Sequence, residues 1–167
     1  METTVAKDDI EAQVMALLET VPDPEIPVLN VVEMAMIAGV RVEGENKVVV
    51  RFLPTFTGCP AIQYISNQIV KTLEAAGFSA TVEVARDKKW STDDMTAAAK
   101  EKLEKFGIAP PAALHGKEFT AEELNRVRCP HCGSTDTTLR SAFGSTLCRA
   151  IRFCFSCKQG FEQFKPL

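Results

Sequence analysis

At 167 residues and 18.3 kDa, with 46% hydrophobic and 25% charged residues, the chain has the composition of an ordinary globular protein, which excludes disordered and collagen-like classes. That length suggests one domain of roughly 100–150 residues and a remainder too short to build much of a core, so a staple is expected in the remainder. The net charge of −3 conceals an asymmetry, because residues 1–125 carry 12 Lys+Arg against 20 Asp+Glu and residues 126–167 carry 7 against 2.

In chain order, Ile10, Val14, Leu17 and Leu18 fall on one face of a helix running from Asp8 to Thr20, which the run Val21-Pro22-Asp23-Pro24-Glu25-Ile26-Pro27 ends. Met34, Met36, Ala38, Val40 and Val42 alternate with Glu33, Arg41 and Glu43. After the turn Gly44-Glu45-Asn46 the pattern resumes at Val48, Val50 and Phe52, which predicts a β-hairpin. A second helix follows over 61–77, with a stripe of Ile62, Ile65, Ile69 and Leu73 and a stop at Gly77. Ser79–Ala85 reads as a third strand. A strand, a helix and a strand in succession imply a crossover, so the fold class is α+β, a small sheet with helices packed on one face.

Thr92–Phe106 predicts another helix, with Met95, Ala99, Leu103 and Phe106 on one side and Gly107 closing it. The Pro-containing stretch after it reads as a linker whose apolar residues suggest that it lies against a domain. The expected organisation is a first domain over 1–106, a linker over 107–125 and a second module over 126–167. The polar, acidic N-terminus lacks the basic and then apolar pattern of a secretory signal, and no apolar run is long enough to cross a bilayer. A cytoplasmic protein with no membrane association is therefore expected, and its six cysteines read as metal ligands or reactive thiols rather than disulfides.

Cys129-Pro-His-Cys132 and Cys154-Phe-Ser-Cys157 are two CxxC knuckles with 21 residues between them, the separation of a zinc ribbon. Two such loops present Cys129, Cys132, Cys154 and Cys157 as four thiolates around one tetrahedral ion. Thr137–Phe143 and Arg149–Phe153 can form the hairpin that brings the knuckles together. Four sulfur ligands leave no open position, so the zinc is structural. Cys148 is expected to pack and His131 to lie on the surface.

Thr55-Phe-Thr57-Gly58-Cys59-Pro60 sits at the junction of strand and helix. Pro60 suits the first helical position, which places Cys59 at the N-cap, where the helix dipole is expected to lower its pKa. Thr55, Thr57 and the Gly58 backbone offer hydrogen bonds around it. Cys59 is then either a thiolate ligand or nucleophile, or an inert cap. Asp23 and Glu25, on a proline-stiffened turn, are either metal-ligating carboxylates or an Asx-type turn. There is no phosphate-cradling glycine loop and no Ser/His/Asp set, and two histidines offer little for acid–base catalysis.

The segments DPEIPVLNVVEM and PTFTGCP resemble the small maturation domain of iron–sulfur assembly systems over about residues 8–90. With CPHCGS, FGSTLCRA, CFSC and FEQFK added, the whole chain is similar to the D-component family of the bacterial phenylacetyl-CoA epoxidase system. The resemblance implies a non-catalytic partner in aerobic phenylacetate breakdown, working beside a di-iron oxygenase and an electron-supplying reductase and helping to assemble or repair a metal centre. It implies that the family's acidic turn falls on Asp23 and Glu25 and its thiol on Cys59, with iron or an iron–sulfur cluster held transiently. One thiol per domain cannot hold a four-thiolate cluster, so a homodimer or a client must supply further ligands. A nucleic-acid-binding zinc ribbon is the competing reading, opposed by scattered basic residues and the acidic first domain.

Overall fold

The computed structural model describes residues 3–117, 120 and 126–167. The chain divides into two compact units, Met1–Trp90 and Ser91–Leu167.

In the first unit, helix α1 (Thr3–Leu18) leads through a loop to strands β1 (Ile37–Val42) and β2 (Lys47–Phe52), helix α2 (Ala61–Ala75) and strand β3 (Ser79–Val84). The sheet order is β1-β2-β3, with β1 and β2 antiparallel and β3 parallel to β2, so α2 is the crossover that a parallel pair requires. Both helices pack against the sheet and against each other. Val48, Val50 and Phe52 are fully buried, as are Val14 and Leu18 of α1 and Ile69 and Leu73 of α2. On the opposite face Arg41 bridges to Glu43 and Glu83, and Arg51 pairs with Asp87. Of the alternation predicted for the hairpin, Val48, Val50 and Phe52 are core, Ala38, Val40 and Val42 are half-buried, and the buried Met34 and Met36 precede β1; of the α2 stripe, Ile65, Ile69 and Leu73 are buried and Ile62 is half-buried. Helix α1 starts at Thr3 rather than Asp8, upstream of the first residue of its apolar face.

The loop between α1 and β1 is built on side chains that imitate backbone. Asp23 Oδ1 accepts from Glu25 N and Ile26 N, each at 2.8 Å, and Asn30 Oδ1 accepts from Val32 N and Glu33 N. Val21, Ile26, Leu29 and Val31 are buried beneath it, and Trp90 Nε1 donates to Met34 O at 2.7 Å.

The second unit contains helix α3 (Ala97–Phe106) and strands β4 (Ile108–Ala109), β5 (Thr137–Ser141), β6 (Arg149–Cys154) and β7 (Gly160–Phe164) in the order β4-β7-β6-β5. The predicted hairpin is β5 and β6. Strands β4 and β7 were not expected; β4 pairs parallel to β7, Ile108 opposite Glu162 and Ala109 opposite Gln163. This corrects two expectations. Helix α3, placed by sequence in the first domain, belongs to the unit that carries the ribbon, and part of the expected linker is a buried strand. Of the remaining linker, Leu114 N donates to Asp93 Oδ1, while 118, 119 and 121–125 lie outside the described residues. The helix predicted over Thr92–Phe106 is also broken. Thr92–Asp94 is a single 3-10 turn, Met95 is extended, and α3 starts afresh behind Thr96, whose hydroxyl accepts from Ala99 N at 3.0 Å. Gly107 then ends α3 in the left-handed region at φ 92°, as a glycine stop does.

Candidate metal centre

The ligand atoms of Cys129, Cys132, Cys154 and Cys157 all lie within 4.8 Å of one another. Cys129 Sγ is 3.7 Å from Cys157 Sγ, and Cys132 Sγ is 3.6 Å from Cys154 Sγ. A tetrahedron with metal–sulfur bonds of about 2.3 Å has edges of about 3.8 Å, so the four sulfurs fit one metal ion.

The two knuckles repeat one backbone design. Cys129 N donates to Ser134 O and Gly133 N to Cys129 O; Cys154 N donates to Gln159 O and Lys158 N to Cys154 O. Each turn needs a left-handed residue immediately after its second cysteine, supplied by Gly133 at φ 75° and Lys158 at φ 63°. Strand β6 delivers Cys154 directly, and its pairing with β5 sets Thr137 opposite Cys154. Around the sulfurs lie Ala109, Val127 and Phe161, so β4 contributes to the same small core. Backbone N–H groups of Cys157 and Ser156 hold the Cys154 thiol below the usual thiol range, and burial pushes that of Cys157 above it.

Cys148 lies outside this cluster, buried with its sulfur 3.1 Å from Thr146 Oγ1. His131 is exposed, its ring edge-on to Phe161.

The second set of residues is centred on Cys59, which is half-buried. Pro60, not Cys59, is the N-cap of α2, and Ile62 N closes a tight first turn on Cys59 O at 3.2 Å. The thiol nevertheless lies by the helix end, where the backbone N–H groups of Ala61 and Ile62 act to lower its pKa. Among the described residues Thr55 and Thr57 make no hydrogen bond to it; Thr55 is half-buried and Thr57 and Gly58 are exposed. The expected lowering of the thiol pKa is reversed. Burial is the largest influence and pushes the Cys59 thiol up. The carboxylates of Glu25 and Asp23 push it further, against the two N–H groups. Tertiary structure thus brings the acidic turn within electrostatic reach of Cys59. Asp23 is itself buried and holds the turn through Oδ1, so the Asx-turn reading applies to that oxygen.

Comparison with known proteins gives these two parts separate matches. Residues 11–84 match the iron–sulfur cluster assembly protein family, and residues 113–165 match the PaaD zinc beta ribbon domain. The first part is similar to a crystal structure of a domain of unknown function, DUF59, from Bacillus anthracis, with TM-score 0.57 and 26% identity over 60% of this chain and 97% of that one. It is also similar to the "Fe-S protein maturation auxiliary factor" of Porphyromonas gingivalis (strain ATCC BAA-308 / W83), 31% identical over 91 residues, 53% of this chain and 86% of the relative. A relative in Escherichia coli (strain K12), described as the putative D component of 1,2-phenylacetyl-CoA epoxidase, is 41% identical over 163 residues, 97% of this chain and 96% of its own length. Both parts, in the same order and at nearly full coverage, place the chain in one family: it belongs to the PaaD family, the D components of the phenylacetyl-CoA epoxidase system.

Proposed function

We propose that this chain is a non-catalytic accessory subunit that assists metal-centre or iron–sulfur assembly in the oxygenase or reductase of a phenylacetyl-CoA epoxidase system. In this reading Cys59, Asp23 and Glu25 form the transfer site, and one Zn²⁺ on Cys129, Cys132, Cys154 and Cys157 holds the ribbon. The ion supplies a rigid crosslink there and no reaction chemistry, because four sulfurs fill its coordination shell.

The observation that carries the proposal is the match of residues 11–84 to the iron–sulfur cluster assembly protein family, with Glu25 and Asp23 near enough to Cys59 to act on its charge. Two carboxylates that disfavour the bare thiolate argue against a nucleophile poised to attack a substrate. The same charges favour an incoming cation, which is attracted by all three groups and displaces the thiol proton. One soft sulfur beside two hard carboxylates suits holding iron weakly and giving it up. The membership of the first part in an iron–sulfur assembly family supports this reading. The nucleic-acid reading loses ground because Arg149 is paired with Glu162 and Arg152 is fully buried, which takes two of the ribbon's cations away from any phosphate backbone.

Replacement of Cys59 by Ala, in a strain that depends on phenylacetate for growth, tests the proposal. The expected result is a normally folded protein with unchanged zinc, together with lower iron or cluster occupancy in the co-expressed oxygenase or reductase and slower growth. Parental growth with unaltered client metal content would show that Cys59 takes no part in metal transfer.

A further inference from the structure

Among the described residues nine large apolar side chains are exposed, and four of them, Phe143, Leu147, Ile151 and Phe155, fall between positions 143 and 155. Phe143 is the most exposed, at 65%. The pleat explains part of this. Ala150, Arg152 and Cys154 are buried on one face of β6, so Ile151 and Phe153 stand on the other, and Phe155 continues into the second knuckle edge-on to Phe153. Phe143 and Leu147 occupy the loop between β5 and β6. A solvent-facing strand surface would ordinarily be polar at such positions, and exposed apolar residues concentrated in one hairpin mark a contact surface.

Its rim is positive. The Arg140 guanidinium lies 5.2 Å from the Phe153 ring centroid and the Lys165 ammonium 5.0 Å from that of Phe143; Lys158 stands exposed in the second knuckle. The two acids of residues 126–167 are Asp136 and Glu162, and Glu162 is engaged by Arg149 and the Ser145 N–H. Asp136 is exposed beside Phe155, whose N–H donates to its carbonyl, so against this one carboxylate the rim carries Arg140, Lys158 and Lys165 and is net positive.

We propose that this face is a docking surface for a folded protein partner whose own contact patch has an apolar centre and a carboxylate rim. Charge complementarity selects the rim, and the ring arrangement selects protein over single-stranded nucleic acid. Phe143 and Phe153 each carry a cation, Phe153 also meets the Phe155 edge, and Leu147 and Ile151 offer no π-face for a base. The choice of partners to try, the oxygenase and reductase components, rests on the accessory-subunit reading.

The test titrates the full-length, zinc-loaded chain against each purified component at low and high salt. Phe143→Ser combined with Leu147→Ser is expected to weaken binding at least about tenfold at both salt concentrations. Arg140→Gln combined with Lys165→Gln is expected to weaken it about three- to tenfold at low salt and to flatten the salt dependence. Lys71→Gln, on the exposed face of α2, is expected to bind like the parent. Where the apolar pair disturbs zinc content, Ile151→Thr, which keeps a strand-favouring residue, replaces it. Unchanged affinity in both double variants with zinc intact overturns the proposal. So does tighter binding of a single-stranded oligonucleotide than of either component, self-association that the apolar pair abolishes, or no binding of either component by the parent. Each of these leaves the Cys59 reading to be judged separately, by client metal content.

Discussion

Removing one sulfur from the ribbon gives the sharpest test of how the second unit is held together. The core around the four cysteines contains Ala109, Val127 and Phe161, of which only Val127 and Phe161 are large apolar residues. Each contributes about 1.5–3 kcal/mol of burial, or about 5 kcal/mol together. A structural zinc in a small module contributes about 10–16 kcal/mol, so the proposed Zn²⁺ would outweigh this apolar core at least about twofold. Cys157→Ser should therefore unfold the ribbon instead of merely weakening it. The first unit has its own core of Val14, Leu18, Val48, Val50, Phe52, Ile69 and Leu73 with no sulfur ligand, and it should survive. The chain's single tryptophan, Trp90, donates to Met34 O within that first unit and so reports on its folding. The assay combines zinc stoichiometry, limited proteolysis mapped by mass, and a thermal melt followed by Trp90 fluorescence. The expected result is substoichiometric zinc and rapid cleavage within 126–167, with an unchanged Trp90 transition. A metal-free variant whose C-terminal segment still resists protease would refute the reasoning.

Alkylation of Cys59 by iodoacetamide should be slow at neutral pH and rise only above the ordinary thiol range, because its pKa is raised; Asp23→Asn and Glu25→Gln should each shift the profile to lower pH, and fast reaction of the parent at pH 6 would contradict the assigned charge effects. Asp23→Ala removes the acceptor for Glu25 N and Ile26 N and should cost about 1–2 kcal/mol in urea melts, whereas Asp23→Asn keeps that acceptor and should cost much less. Trp90→Phe leaves the buried Met34 carbonyl without its donor, for a loss of about 1–3 kcal/mol measured by far-ultraviolet circular dichroism. Light scattering should detect association on anaerobic reconstitution with iron and sulfide, since one Cys59 per chain cannot complete a four-ligand cluster; a strict monomer holding a cluster would overturn that argument.

Hairpin, crossover helix and knuckles were all legible in the sequence, because each rests on neighbours a few residues apart. Alternation at Val48, Val50 and Phe52, the spacing of Ile65, Ile69 and Leu73, and the CxxC pairs are local patterns that the backbone period converts directly into faces and loops. The break at Met95 was hidden because the helical stripe continues across it, and only the capping bond from Ala99 N to Thr96 shows where the second start lies. Strand β4 is two residues long, too short for any periodicity, and exists because β7 offers it an edge more than fifty residues later in the chain. That pairing also moved α3 into the second unit. The sign of the Cys59 shift had the same origin. The position of Cys59 before a helix was local and pointed to a lowered pKa, but burial and the approach of Glu25 and Asp23 are tertiary, and they outweigh the helix N–H groups. Sequence by itself determined which residues could bear the chemistry, since side-chain type and short-range spacing are written in it. Only the tertiary structure decided the charge around them, because Coulomb interactions and desolvation depend on distance in space and not on distance along the chain.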